Sequence, residues 1–304
     1  MTKTKKGVYF ALSTALISGF AVFLNKFALS EFANSNIFTT EKNIVVALIF
    51  CALILTPKAI KTLKTLTRKD WLQLFLIGII GGSVPFLLFF KGLSMASSSG
   101  AAFIHKTLFI WIAILAVPFL KEKLSKIQLA ALGVLLLGNI LLGGIKSFSV
   151  GQAELLIFLA TILWAIEFVL AKKLLFRLDT KIISWARMFF GAIILIAYLV
   201  FTQQANLLFD FSYSQVSWIA IASALLFLYV FTWYGALKIL PATIVSGILV
   251  IASPITTLLN NIFILHKYSA DQILGSLIIC LSIFLFVYSN LKIKKNELSA
   301  SPTI

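Results

Sequence analysis

Residues 127–145 read IQLAALGVLLLGNILLGGI, nineteen positions without a charged side chain, and the centre of the run at 132–142 is apolar or small almost throughout. A helix rises about 1.5 Å per residue and the hydrocarbon core of a bilayer is about 30 Å thick, so a run of this length spans it. Strands of a membrane barrel alternate apolar and polar positions, and this run does not. In hydrocarbon every backbone N–H and C=O must be paired within its own segment, so the run reads as a transmembrane helix.

Working outward with the same ruler gives ten spans, at about residues 7–29, 40–57, 72–93, 98–119, 127–145, 152–171, 184–202, 216–238, 243–265 and 270–291. Composition agrees independently. With 61% hydrophobic residues and a mean hydropathy of +1.04, a soluble domain would lack the polar surface to cover itself. The predicted fold is an all-α integral membrane protein of ten transmembrane helices. The first span is too long for the apolar core of a signal peptide and no small-x-small site follows it, so it reads as a retained helix. Cys51 and Cys280 fall inside spans, where they carry no disulfide or metal signature and pack as small apolar side chains.

The net charge of +16 invites a nucleic-acid reading, but the basic residues sit where helices leave the membrane. With the N-terminus in the cytoplasm, nineteen Lys and Arg fall on the cytoplasmic face, against four on the other (Lys26, Lys42, Lys146 and Lys267). Three more, Lys91, Lys106 and Arg187, lie within spans. That asymmetry sets topology and leaves no nucleic-acid partner to explain. It predicts a multi-pass plasma-membrane protein with both termini cytoplasmic, ending in a short, polar, disordered tail at 296–304.

A self-comparison at an offset near 145 residues finds ordered matches. Residues 17–26 (ISGFAVFLNK) lie over 163–172 (LWAIEFVLAK), with Lys closing both. Residues 90–95 (FKGLSM) lie over 234–239 (YGALKI), and 123–128 (KLSKIQ) over 267–272 (KYSADQ). The chain divides into five-span halves at 1–146 and 147–295. Five is odd, so the second half enters the membrane from the opposite side, which makes an inverted-topology repeat and suggests alternating access around a midplane site.

At this point the chain resembles the EamA-like family of the drug/metabolite transporter superfamily over residues 7–293. The marks are Trp164-Ala165 followed by Lys172, the run YGALKILPA at 234–242, Ser253-Pro254, and the joint Glu122-Lys123-Leu124-Ser125. The resemblance implies a secondary transporter of small organic metabolites, frequently an exporter. The chain departs from the family pattern at Ser18-Gly19, where a Trp-Gly pair is common, at Ile110 opposite Pro254 of the other half, and at His266, where an acid is common.

An ionisable side chain at the centre of a spanning helix costs about 2.5–3.5 kcal/mol on insertion scales, so each asks for a partner or a purpose. Glu167 is an acid deep in span six, one turn past Trp164 and on its face. It is suited to a substrate ammonium or a coupling proton, or to an ion pair with Arg187 on the neighbouring span. His105 and Lys106 lie in span four, where Lys suits a substrate carboxylate. Neighbours on a helix diverge by about 100°, so the pair can share a cavity only at its edges, and the alternative is a snorkelling Lys106. Lys91 and Arg187 have the same option. Trp111 and Tyr234 are further substrate candidates, with packing as the alternative, whereas Trp71, Trp218 and Trp233 read as interface-belt residues. Pro85 and Pro254 are candidate hinges, each removing a helical hydrogen bond. Gly78 and Gly82 form a small-residue packing face, and Asn260 and Asn261 line or cap the outer end of span nine.

No phosphate-cradling loop, paired metal-binding His or soluble domain is present in the sequence, which argues against ATP-driven pumping. No metal, cofactor or catalytic residue is expected. The partners expected are a small-molecule substrate, the lipid bilayer and a proton as coupling ion, with oligomeric state left open. A second reading, an intramembrane enzyme acting on a lipid or prenyl substrate around His105, Lys106 and Glu167, has a thin catalytic inventory.

Overall fold

A computed structural model describes residues 2–143, 151–208 and 211–300, with side chains to residue 289. Lys146, expected at an outer joint, lies outside the described residues.

Among the described residues, ten helices are long and apolar enough to cross a membrane. They are α1 (Lys3–Ser30), α2 (Ser35–Ile54), α3 (Arg68–Met95), α4 (Ser98–Leu120), α5 (Lys126–Gly143), α6 (Gln152–Leu175), α7 (Thr180–Phe201), α8 (Tyr213–Ile239), α9 (Ala242–Leu265) and α10, whose apolar part is Ala270–Ser289. Among the described residues there are no strands. The helix of α10 runs on to Ala300, through the first part of the stretch expected to be a disordered tail. Between α2 and α3 the expected joint holds a short helix, Pro57–Lys64. Thr56 caps it, and Lys58, Lys61 and Lys64 all face outward.

Helix ends are tied by local chemistry. Thr67 and Asp70 form a reciprocal capping box at the start of α3. The second oxygen of Asp70 meets Arg177, in the α6–α7 joint, at 2.5 Å. Lys26 at the end of α1 donates to the carbonyls of Leu93, Ser94 and Ala96 at 2.9, 3.2 and 2.6 Å, closing the C-terminus of α3. Lys172 near the end of α6 does the same for α8, donating to Leu237 and Leu240 at 2.6 and 2.7 Å. An ammonium over orphan C-terminal carbonyls satisfies them and complements the helix dipole. Lys172 was expected on the cytoplasmic surface but is buried beneath this cap.

Three spans are interrupted. In α3 a π-helical turn, Gly78–Ser83, separates two α-helical parts, and Pro85 stands at the head of the second, where its missing N–H is harmless. In α9 the break falls at Val250–Ile251, just before Pro254. In α4 it falls at Thr107 with no proline near it.

The spans pack in pairs. Helix α1 packs on α8, α3 on α6, α4 on α6, α1 on α9, α2 on α7, α5 on α10, and α4 on α9. Exchanging the first five helices for the last five maps every one of these pairs onto another in the set or onto itself.

Candidate functional site

The π turn of α3 organises the centre of the molecule. A π turn shifts the hydrogen-bond ladder and leaves a carbonyl for other donors. Gly81 supplies that carbonyl, and it accepts from Trp164 Nε1 of α6 and Arg187 Nη2 of α7, both at 3.0 Å. Glycines let the three helices come this close. A Cβ on Gly82 would overlap the carbonyl oxygen of Arg187, one on Gly81 would lie 2.5 Å from Glu167 Cγ, and one on Gly78 would strike Phe190. The packing face read from Gly78 and Gly82 is therefore present, with Gly81 at its centre.

Glu167 is fully buried. One carboxylate oxygen accepts from Tyr234 Oη at 2.5 Å, and the other has no hydrogen-bond partner. Arg187, 2% exposed, does not snorkel; it attracts Glu167 electrostatically but, among the described residues, donates no hydrogen bond to that carboxylate. Its guanidinium lies over Trp233 at 4.5 Å, with Phe86 at 5.7 Å and Tyr234 at 5.9 Å. Arg187 Nε and Nη1 are buried without acceptors.

Arg187 faces a central cavity of about 80 Å³. Helices α1 to α4 and α6 to α8 line it, with Ser18, Asn25, Lys42, Phe86, Phe89, Phe90, His105, Trp164, Arg187, Tyr229 and Trp233 among the side chains. Of the residues expected at a site, Trp164, His105 and Arg187 face this space. The His105 ring packs on Trp164 at 4.9 Å and Phe89 at 5.2 Å, with Nδ1 unpartnered. Glu167 and Tyr234 stand behind the wall. Lys106 neither snorkels nor enters the cavity, since it is 2% exposed and donates to Ser18 Oγ at 2.8 Å. Trp111 lies apart, edge-on to Phe158 at 5.5 Å.

Two sequence expectations are corrected here. Lys42, assigned to the outer surface, is 1% exposed, with Nζ 3.1 Å from the centroid of Phe90. Helix α2 begins at Ser35, so Lys42 is two turns inside it. Trp233 is no belt residue. It is buried, and stacks on Tyr234 at 4.5 Å.

The profile of the EamA-like transporter family matches residues 5–144 and again residues 151–288. The chain belongs to the EamA-like transporter family. It is 26% identical over 289 residues to YyaM of Bacillus subtilis (strain 168), described as an uncharacterized transporter, covering 88% of this chain and 91% of that one. A crystal structure of 13% sequence identity superposes with a TM-score of 0.73 over 93% of this chain and 97% of its own, a likeness of fold. Family, relative and the ten apolar helices make this a multi-pass membrane transporter.

Within this EamA-like chain, α4 and α9 are held to each other at both ends. The carboxylate of Glu122, just past α4, accepts from the backbone N–H of Ala242 at 2.6 Å and of Thr243 at 3.1 Å, and from Thr243 Oγ1 at 2.8 Å. This caps the start of α9. At the opposite end Asn260 of α9 accepts from Ser98 Oγ at 2.7 Å and donates to Ser99 Oγ at 2.8 Å, at the start of α4. Asn261 instead donates to Gln272 at 2.7 Å.

Proposed function

We propose that this transporter is a secondary carrier, and an exporter, of small organic metabolites such as amino acids and related amphiphiles. It acts in the plasma membrane with both termini in the cytoplasm. The halves 1–146 and 147–295 form an inverted repeat and rock against each other, so that the central cavity opens to one side and then the other. An ion or substrate gradient, with the proton as the candidate coupling ion, supplies the free energy.

The observation that carries this reading is the cavity itself, lined by helices of both halves. A site shared between two bodies is exposed on either side by their relative rotation. The exchange-symmetric packing of α1 to α5 against α6 to α10 supports two conformations of similar energy. The breaks in α4 and α9, with Pro85 and Pro254 beside the breaks of α3 and α9, are the proposed hinges. The ties of Glu122 and Asn260 are proposed to hold the two ends of the pathway.

Counterflow in proteoliposomes tests the reading. Vesicles preloaded with each of a panel of unlabelled metabolites are diluted into trace radiolabelled compound. A carrier gives saturable, transient accumulation of unchanged label. Linear, unsaturable flux would indicate a channel, and chemically altered label an enzyme.

A further inference from the structure

We propose that the cavity binds organic carboxylates, holding the anionic group on Arg187 and Lys42 and the apolar body among Phe86, Phe89 and Trp164. The proposal rests on the carrier reading above and narrows its substrates from small organic metabolites at large to organic anions, setting amino-acid zwitterions aside.

Charge placement carries the argument. Lys42 Nζ and the Arg187 guanidinium lie beside the same ring, 5.5 and 5.7 Å from the centroid of Phe86. Both side chains line the cavity, and no Asp or Glu is among the lining residues. The carboxylate of Glu167 stands in the wall, turned to Tyr234. A substrate therefore meets cations and aromatic faces. An ammonium group would be repelled and would find no carboxylate on the surface of the site, while a carboxylate would meet both cations.

Hydrogen bonding adds a second, independent observation. Arg187 spends one donor nitrogen on Gly81 and keeps Nε and Nη1 unpartnered within the protein. Leaving donors of a buried charge unmet is expensive, and an anion seated against the guanidinium offsets that cost through its charge. Aromatic faces hold the two cations in place; Glu167 attracts Arg187 from behind the lining, and no carboxylate lines the cavity beside either cation. The remaining lining is largely apolar, which suits a hydrophobic body and not a small, fully hydrated inorganic anion.

The test is equilibrium binding to purified protein of three probes with one phenyl body and different charge: phenylacetate, phenylalanine and phenylethylamine. Phenylacetate is expected to bind most tightly and to resist competition by inorganic phosphate. Lys42→Met and Arg187→Gln are each expected to weaken it about 10- to 100-fold, as loss of a charge-assisted contact does. Lys42→Arg is expected to restore most of the affinity, which separates loss of charge from loss of fold. Preference for phenylalanine or phenylethylamine, failure of all three to bind, displacement by phosphate, or unchanged phenylacetate affinity in the folded Lys42→Met protein would each overturn the proposal. Phenylacetate bound but never moved across vesicle membranes would sink the carrier reading and leave the binding site standing, whereas saturable transport of the amine would do the reverse.

Discussion

Trp164 and Arg187, on neighbouring helices of the second half, donate to one acceptor in the first half, the carbonyl of Gly81, each at 3.0 Å. The shared carbonyl fixes an aromatic wall and a cation of the cavity to the π turn of α3, so the geometry of the site depends on glycines that do not line it.

Gly82→Ala should therefore be costly. The new methyl overlaps the backbone of Arg187, which cannot move without moving α7, and overpacking of this kind costs about 1–3 kcal/mol. Gly133→Ala in α5 is the control, since its Cβ meets nothing within 4 Å and alanine favours the helix by about 0.5–1 kcal/mol. Thermal unfolding in detergent should show a lowered midpoint for the first and an unchanged or raised one for the second.

Tyr234→Phe leaves the ring stack with Trp233 and removes the hydroxyl that serves Glu167. Hydrogen bonds to charged groups contribute about 1.5–3 kcal/mol. A double-mutant cycle with Glu167→Gln should give a coupling of about that size. A coupling near zero would mean that the carboxylate does not depend on the tyrosine.

Lys26→Met and Lys172→Met should each destabilise by about 1–2 kcal/mol, because each ammonium serves carbonyls at a helix C-terminus. The two ties lie in different halves and share no partner, so their effects should add within about 0.5 kcal/mol in the double variant, read from denaturant unfolding.

Glu122→Ala removes the acceptor for two backbone N–H groups at the start of α9. Loss of a helix cap costs about 0.5–2 kcal/mol. Hydrogen exchange should quicken at Ala242 and Thr243 while α5 stays protected. Unchanged exchange there would show that the cap is dispensable.

The ten spans were legible because hydrocarbon thickness acts on every residue of a span, and an error of a few residues at the ends leaves the pattern intact. The same tolerance hid Lys42. A span drawn from residue 40 leaves it at a joint, and only the helix start at Ser35 shows that it is two turns deep. Trp164, His105 and Arg187 could be singled out because a polar or aromatic side chain at depth is rare, and they do face the cavity. Lys106 and Trp111 carried the same signal, but Lys106 stops behind the lining on Ser18 and Trp111 lies apart, since composition along a helix does not say which neighbour each face meets. The break of α4 at Thr107 has no proline to announce it. The role of Gly81 depends on a π turn, which no residue spacing in the sequence marks.

Alternating access requires one cavity reached from both sides of the membrane. Ala21 lines that cavity, so Ala21→Cys in a background carrying Cys51→Ser and Cys280→Ser gives a single reporter. A membrane-impermeant anionic methanethiosulfonate is then applied separately to each face of oriented vesicles. Alternating access predicts labelling from either face and protection from both by a transported substrate. Labelling confined to one face, whether or not substrate is present, would contradict it.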